Sequence, residues 1–200
     1  MKLLYVDCCI TVHGSASRTA ALAETFLSAW RAGHPEADLE TRDLKTLTLN
    51  PLLGNALCLR ETLQSEGRTE GASFALARQF AAADRIVIAA PFWDMSFPAV
   101  LKCFFEQTSL FDVTFTDTGK TCQGLCKAPK VLYITTRGMD ISTCDHREQA
   151  TPYLKALGSL WNLGDLTTIA AQNMDYSSDV EIESKITACI EDGLELVKKW

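Results

Sequence analysis

Three stretches of this chain carry residue types that suit an anion and a flat aromatic ligand. In the first, residues 8–17, Ser15 and Ser17 flank Ala16 just ahead of Arg18, with Cys9 and His13 upstream. Hydroxyls at a helix start, beside free N–H groups and the positive end of the helix dipole, favour a phosphate. The dipole contributes only ~0.3–2 kcal/mol, so hydroxyl and amide hydrogen bonds must do much of the holding. Ser17 is also readable as a plain N-cap. The stretch has neither the Gly-Lys-Ser/Thr ending of a Walker loop nor Gly-x-Gly-x-x-Gly. The second stretch, Pro91, Phe92, Trp93, Asp94 and Met95, offers flat and polarizable surface with backbone amides between. Phe92 and Trp93 are also readable as core or interface aromatics. In the third, Thr136, Arg137, Gly138 and Met139, the glycine permits a tight turn and close backbone approach. Arg137 reads more simply as an ion-pair residue than as a catalyst. Together the three describe a seat for a mononucleotide with a flat head.

The elements that must position these stretches are legible from apolar runs. Residues 3–6 and 86–90 lack alternation, as strands buried on both faces do. The second run ends at Pro91, and Ser96 with Pro98 is expected to open the next helix, with Leu101, Phe104 and Phe105 inward. Residues 17–32 read as a helix with Leu22, Phe26, Leu27 and Trp30 on its buried stripe, and residues 37–43 as an edge strand. Residues 44–71 form a long connection without a clear period, the kind that serves function or contact. Residues 72–83 read as a helix with Phe74, Ala77 and Phe80 inward. Residues 111–125 read as a small hairpin or excursion. Strands over 131–135 and 166–170 alternate with helices over 148–162, ended by Gly164, and 180–198, with Ile182, Ile186, Ile190 and Leu194 inward. This alternation predicts an α/β fold: a three-layer, doubly wound sandwich on a five-stranded parallel sheet of order 2-1-3-4-5, in one domain over residues 1–200. The three stretches then share the carboxyl edge of the sheet, where such folds bind ligands.

Composition narrows the partners. A net charge of −6 without a basic cluster argues against general nucleic-acid binding and against an anionic membrane surface. No apolar run is long enough to span a bilayer, and residues 3–6 are too short for a signal-peptide core, so a cytoplasmic location is expected. The eight cysteines are expected to be reduced, since the chain is long enough to build a core without staples. Cys122 and Cys126 make one loose Cys-x-x-x-Cys, and Cys144 lies two residues from His146. One loose pair without a second does not make a zinc site, and no run of cysteines suggests an iron–sulfur cluster, so no metal is expected. His34 and His146 read as solvated loop residues.

The order of these landmarks resembles the flavodoxin-like FMN-dependent NAD(P)H oxidoreductases, in the azoreductase and quinone reductase branch. The residues that carry the resemblance are Ser15-Ala16-Ser17-Arg18, Ala90-Pro91-Phe92-Trp93-Asp94-Met95, residues 113–119 (Val-Thr-Phe-Thr-Asp-Thr-Gly) and Thr135-Thr136-Arg137-Gly138. The resemblance implies that Ser15, Ala16 and Ser17 hold the FMN phosphate with Cys9 near it. Pro91, Phe92, Trp93, Asp94 and Met95 would line the isoalloxazine largely through backbone groups. Thr136, Arg137, Gly138 and Met139 would approach its other edge. It also implies a homodimer with flavin sites at the subunit interface, covered by the long connection, including Leu53, and by residues 111–115, including Phe115. Two positions depart from the family: Asp94 where Asn is usual, and Met139 where Gly is usual. A carboxylate near the ring is expected to lower the flavin potential by like-charge repulsion.

The activity so implied is two-electron transfer from NADH or NADPH to quinone, azo or nitro aromatic acceptors. Donor and acceptor use one face in turn, a ping-pong scheme. FMN would carry the chemistry while the protein supplies stacking, amide hydrogen bonds and water exclusion, which fits the lack of a Ser-His-Asp or Cys-His set. The competing reading is a flavodoxin-type electron carrier or FMN-binding protein without its own NAD(P)H turnover.

Overall fold

The two least polar runs become inner strands, because a strand buried on both faces excludes charge from either side. A computed structural model describes residues 1–11 and 17–200 of the chain. The elements in order are β1 (Lys2–Asp7), α1 (Arg18–Gly33), β2 (Asp38–Asp43), α2 (Gly54–Ser65) and, after a 3-10 turn at Ala72–Phe74, α3 (Ala75–Ala82). Then follow β3 (Arg85–Ala89), α4 (Ala99–Thr108), β4 (Phe115–Asp117), β5 (Cys122–Gly124), β6 (Lys130–Thr136), α5 (Ala150–Trp161), β7 (Asp165–Ala171) and α6 (Asp179–Val197). The main sheet has the order β2-β1-β3-β6-β7, and every pair in it is parallel. Taking β6 and β7 as the fourth and fifth strands, this is the expected 2-1-3-4-5. The excursion is an antiparallel β4–β5 hairpin.

Alternate residues of the inner strands face two helical layers. Leu4, Val6, Ile86, Ile88, Val131 and Tyr133 pack with Phe80, Phe104, Leu154 and Trp161 from α3, α4 and α5. Leu3, Tyr5, Val87, Ala89, Leu132 and Ile134 pack with Phe26 and Trp30 of α1 and with the half-buried Ile186 and Ile190 of α6. Each fully buried Leu, Ile, Val or Phe among these contributes about 1.5–3 kcal/mol. The amino ends of β6 and β7 meet tightly: a side chain on Gly164 would put its Cβ 2.0 Å from the Pro129 carbonyl oxygen.

Several boundaries differ from expectation. The helix α2 lies inside the supposed irregular connection; it escaped the pattern because none of its residues is buried and it has no apolar stripe to read. Ser96 caps no helix: α4 begins at Ala99 after Pro98, and Ser96 closes a turn instead. The terminator of α5 is Asn162, in the left-handed conformation, rather than Gly164. Leu194 of α6 is exposed, and Gly193 takes the inward position against Ile169 and Phe26. His34 is half-buried and stacks on Trp30 at 4.6 Å.

Candidate functional site

Parallel strands deliver the ends of β1, β3 and β6 to one rim, and hydrogen bonds past the strands tie the three following loops together. Cys8 donates its N–H to the Ala89 oxygen (2.8 Å), Ala90 to Ile134 (3.1 Å) and Phe92 to Thr136 (3.2 Å). The Thr19 and Thr136 hydroxyls meet at 2.7 Å, joining the first turn of α1 to the end of β6. His13, Ser15 and Ala16 lie outside the described residues. Ser17 is the N-cap of α1, its hydroxyl accepting from the Ala20 N–H. The N–H groups of Arg18 and Thr19, at the same helix end, have no partner among the described residues.

The loop after β3 is a tight reversal. Trp93 and Ser96 exchange N–H···O bonds of 3.1 and 2.8 Å, and the two residues between them, Asp94 and Met95, have φ of 48° and 66°. Two positive φ values inside a two-residue hairpin are the type I′ pattern, which Asn-Gly usually fills. Asp tolerates this conformation, but Met holds it at a cost of about 1–2 kcal/mol. The turn is anchored at its tip, where the Met95 carbonyl accepts from the Gln149 N–H at 2.8 Å. Among the described residues, the N–H groups of Asp94, Met95, Gly138 and Met139 have no partner, while neighbouring main-chain groups do. Four free donors on two adjoining loops thus stand beside Phe92 and the exposed Trp93. Such a surface can stack a planar heteroaromatic ring and donate to acceptor atoms along its edge.

Arg137 is the strut of the third loop. Its guanidinium is wholly buried, donating to the Ile141 oxygen (2.8 Å) and the Thr143 hydroxyl (3.3 Å), 3.8 Å from Glu148 and 5.3 Å under the Phe92 ring. Its own N–H and C=O are bonded to Ala171 and Met174. The expected ion pair is therefore present, and Arg137 bears on the rim through Phe92. Burial pulls its pKa down, and the Glu148 charge opposes that pull. Gly138 serves a different purpose from the expected tight turn: a Cβ there would fall 2.1 Å from the Asp175 carboxylate. Cys9 is buried beside Ser17, and burial, reinforced by the Asp7 charge, pushes its thiol up to about 12. The Cys9 carbonyl accepts from Lys45 Nζ at 3.3 Å. Pro91 and Thr136 are half-buried within the rim, and Met139 is exposed at its edge. Phe115 sits in β4 with its ring 5.9 Å from Phe111, and Leu53 precedes α2 with 70% of its surface exposed. No hydrogen bond among the described residues joins either to the rim.

Thr19, Lys45, Glu148 and Gln149 were not singled out from the sequence, and Ser96 was read only as a helix start. Glu148 carried a readable signal: its carboxylate accepts from the Ala150 and Thr151 N–H groups at 2.9 Å each, as an acid at a helix start does.

The topology is that of a known family. Its model, described as flavodoxin-like fold, matches residues 1–192. The chain belongs to the flavodoxin-like fold family. An FMN-dependent NADH:quinone oxidoreductase of Clostridium perfringens is 31% identical over 199 residues, covering 100% of this chain and 99% of the relative. Among solved structures of this fold, an azoreductase from Bacillus anthracis superposes with a TM-score of 0.86 at 21% identity, covering 100% of both chains. An FMN-dependent NADH-azoreductase from the same species, solved in complex with FMN, gives 0.83 at 19% identity, covering 98% of this chain and 100% of the other. No helix among the described residues is long and apolar enough to cross a membrane, and none of their His, Cys, Asp and Glu side chains form a metal-binding group of three.

Proposed function

We propose that this chain is an FMN-dependent NADH:quinone oxidoreductase, one domain over residues 1–200, acting in the cytoplasm as a homodimer. The observation that carries the reading is the rim itself: four unpartnered main-chain donors beside Phe92 and Trp93, with a capped helix start one hydroxyl pair away. The name of the full-length relative supports the activity. The residues fit the cofactor by chemistry. Ser15, Ala16 and Ser17, with the α1 amides, would hold its phosphate, and Cys9 would border that seat. Phe92, Trp93 and Met95 would line its ring system, and the amides of Asp94, Met95, Gly138 and Met139 would be free to donate to it. When bound, FMN supplies the two-electron exchange by which NADH and a proton reduce a quinone to the hydroquinone.

The protein's part is positioning. The Trp93–Ser96 turn fixes its amides in advance, so little ordering is left to binding. Arg137, paired with Glu148, braces the Phe92 ring, and the aromatic pair would keep water from one face. The face left open would admit donor and then acceptor in turn, a ping-pong order. Azo and nitro aromatics share the flat shape and electron demand of a quinone and use the same face, and NADPH is the alternative donor. A partner copy covers the site with Leu53 and Phe115. In support, α2 buries none of its residues, and Leu53, Leu57 and Leu59 stand exposed along it, more apolar surface than a lone helix keeps in water.

Purified protein is expected to be yellow or to become so with FMN, to bleach with NADH, and to turn over a soluble naphthoquinone in steady state. FMN binding without bleaching by NADH and without quinone turnover would reduce it to an electron carrier. Light scattering is expected to give twice the chain mass.

A further inference from the structure

We propose that Glu148 is a positioning residue that sets the redox balance of the flavin seat: its buried carboxylate offsets the Arg137 cation, which by itself would favour reduced FMN. The inference deepens the function proposed above and rests on it. Both side chains are shut off from solvent, with 0% exposure each, and the Arg137 guanidinium stands 3.8 Å from Glu148 Oε1. That oxygen already accepts from the Ala150 and Thr151 N–H groups at 2.9 Å each. Glu148 Oε2 and Arg137 Nε have no partner among the described residues. The two groups therefore meet as opposite charges, without the two-bond fork of a close Arg–carboxylate pair. Arginine does not shed its proton, so the balance at this point depends on the acid.

Position makes this balance matter. Arg137 directly precedes the free amides of Gly138 and Met139, and its guanidinium carbon lies 5.3 Å from the centre of the Phe92 ring. The residues on both sides of the cation are thus the ones proposed to line the flavin ring. Nearby charge is otherwise acidic: Asp94 sits in the Trp93–Ser96 turn, and the Asp175 carboxylate lies against Gly138. A hydride from NADH brings two electrons and one proton, so a flavin that accepts it gains one negative charge. A cation close by favours that state, and a neutral pair does so far less. With water excluded, salt screens the buried charges little. Glu148 touches no proposed ligand atom and acts on the flavin only through the cation it offsets.

The experiment is a redox titration of FMN bound to the full chain. Glu148→Gln removes the charge and keeps a side-chain oxygen for the Ala150 and Thr151 N–H groups. It is expected to raise the preference for reduced over oxidised FMN at least tenfold, an upward midpoint shift of ~30 mV for two electrons. The double variant Arg137→Met with Glu148→Gln removes both charges and keeps an unbranched stem beside Phe92. Its preference is expected to return to within twofold of the wild type. Since a lone buried cation is costly to the fold, a third reading uses the wild type alone. The Arg137 Nε–H signal in NMR, assigned by its loss in the double variant, should move when bound FMN is reduced with dithionite. An unmoved midpoint in Glu148→Gln, an equal rise in the double variant, or an Arg137 signal indifferent to reduction would overturn the inference. Failure of the wild type to bind FMN would be told apart from these, because no midpoint could then be recorded, and would overturn the proposed function together with this inference.

Discussion

At the carboxyl ends of the strands, what the molecule offers a ligand is mainly main chain: the amides of residues 94, 95, 138 and 139 and the first turn of α1. At the amino ends, under α5, its surface is made of side chains: the half-buried Leu157, Leu163 and Leu166, with Lys155 and Asp165 beside them. The difference teaches where substitutions should register. A main-chain surface tolerates many side-chain changes but fails when its supports or its dihedrals change. A side-chain surface responds to every altered volume.

The hardest way to break that contrast is through the one buried strut of the rim. Arg137→Ala leaves Glu148 buried without its cation and is expected to destabilise the fold by about 3–5 kcal/mol in denaturant unfolding. Trp93→Ala, at an exposed position of the same rim, should stay within about 0.5 kcal/mol. Equal losses for the two would erase the distinction between support and surface.

Alkaline pH tests both ends at once. Burial raises the thiol of Cys126, whose N–H is bonded to Trp161 at the end of α5, from 9.0 to about 12, and Cys9 at the rim rises to the same value. From the unfolded value near 9.0 up to about 12, the unfolded chain has lost these protons while the folded chain keeps them. Stability is therefore full below pH 9 and falls across that window, by at most about 1.4 kcal/mol per pH unit per thiol. Cys126→Ala and Cys9→Ala should each flatten the fall in melting temperature by one share. An unaltered slope in either would show that its thiol is solvated.

Two smaller effects sharpen the description of the turn. Met95→Gly removes the left-handed strain and should stabilise the apoprotein by about 1 kcal/mol, less what glycine loses in unfolded-state entropy. Asp94→Asn removes a carboxylate beside the proposed flavin. It is expected to raise the two-electron midpoint by on the order of 20 mV, the equivalent of about 1 kcal/mol. An unchanged midpoint would mean that the Asp94 side chain points into solvent.

Much of this fold could be read directly from the chain. Buried parallel strands such as residues 86–90 announce themselves because nothing polar interrupts them, and the stripe of α1 follows from its four large apolar residues. The helix α2 could not be read, since its periodicity would have to come from burial and it has none within one chain. At the candidate site, residue types singled out loops that the fold brings to one rim, but not how those loops are built. Ser96 looked like a helix cap because Ser is favoured there, yet two residues in left-handed conformation turned it into the closing member of a hairpin. Gly138 looked like a turn former, although its value lies in the space it leaves for Asp175. Contacts distant in sequence, such as Thr19 with Thr136 and Arg137 with Glu148 and Phe92, leave no local pattern to find.

The most direct test of a main-chain flavin seat is the amide NMR spectrum of isotope-labelled protein recorded with and without one equivalent of FMN. The backbone N–H signals of Asp94, Met95, Gly138 and Met139 should move furthest, while the Trp161 indole signal stays in place. FMN that binds but leaves those four amides where they were, or does not bind at all, would contradict the account.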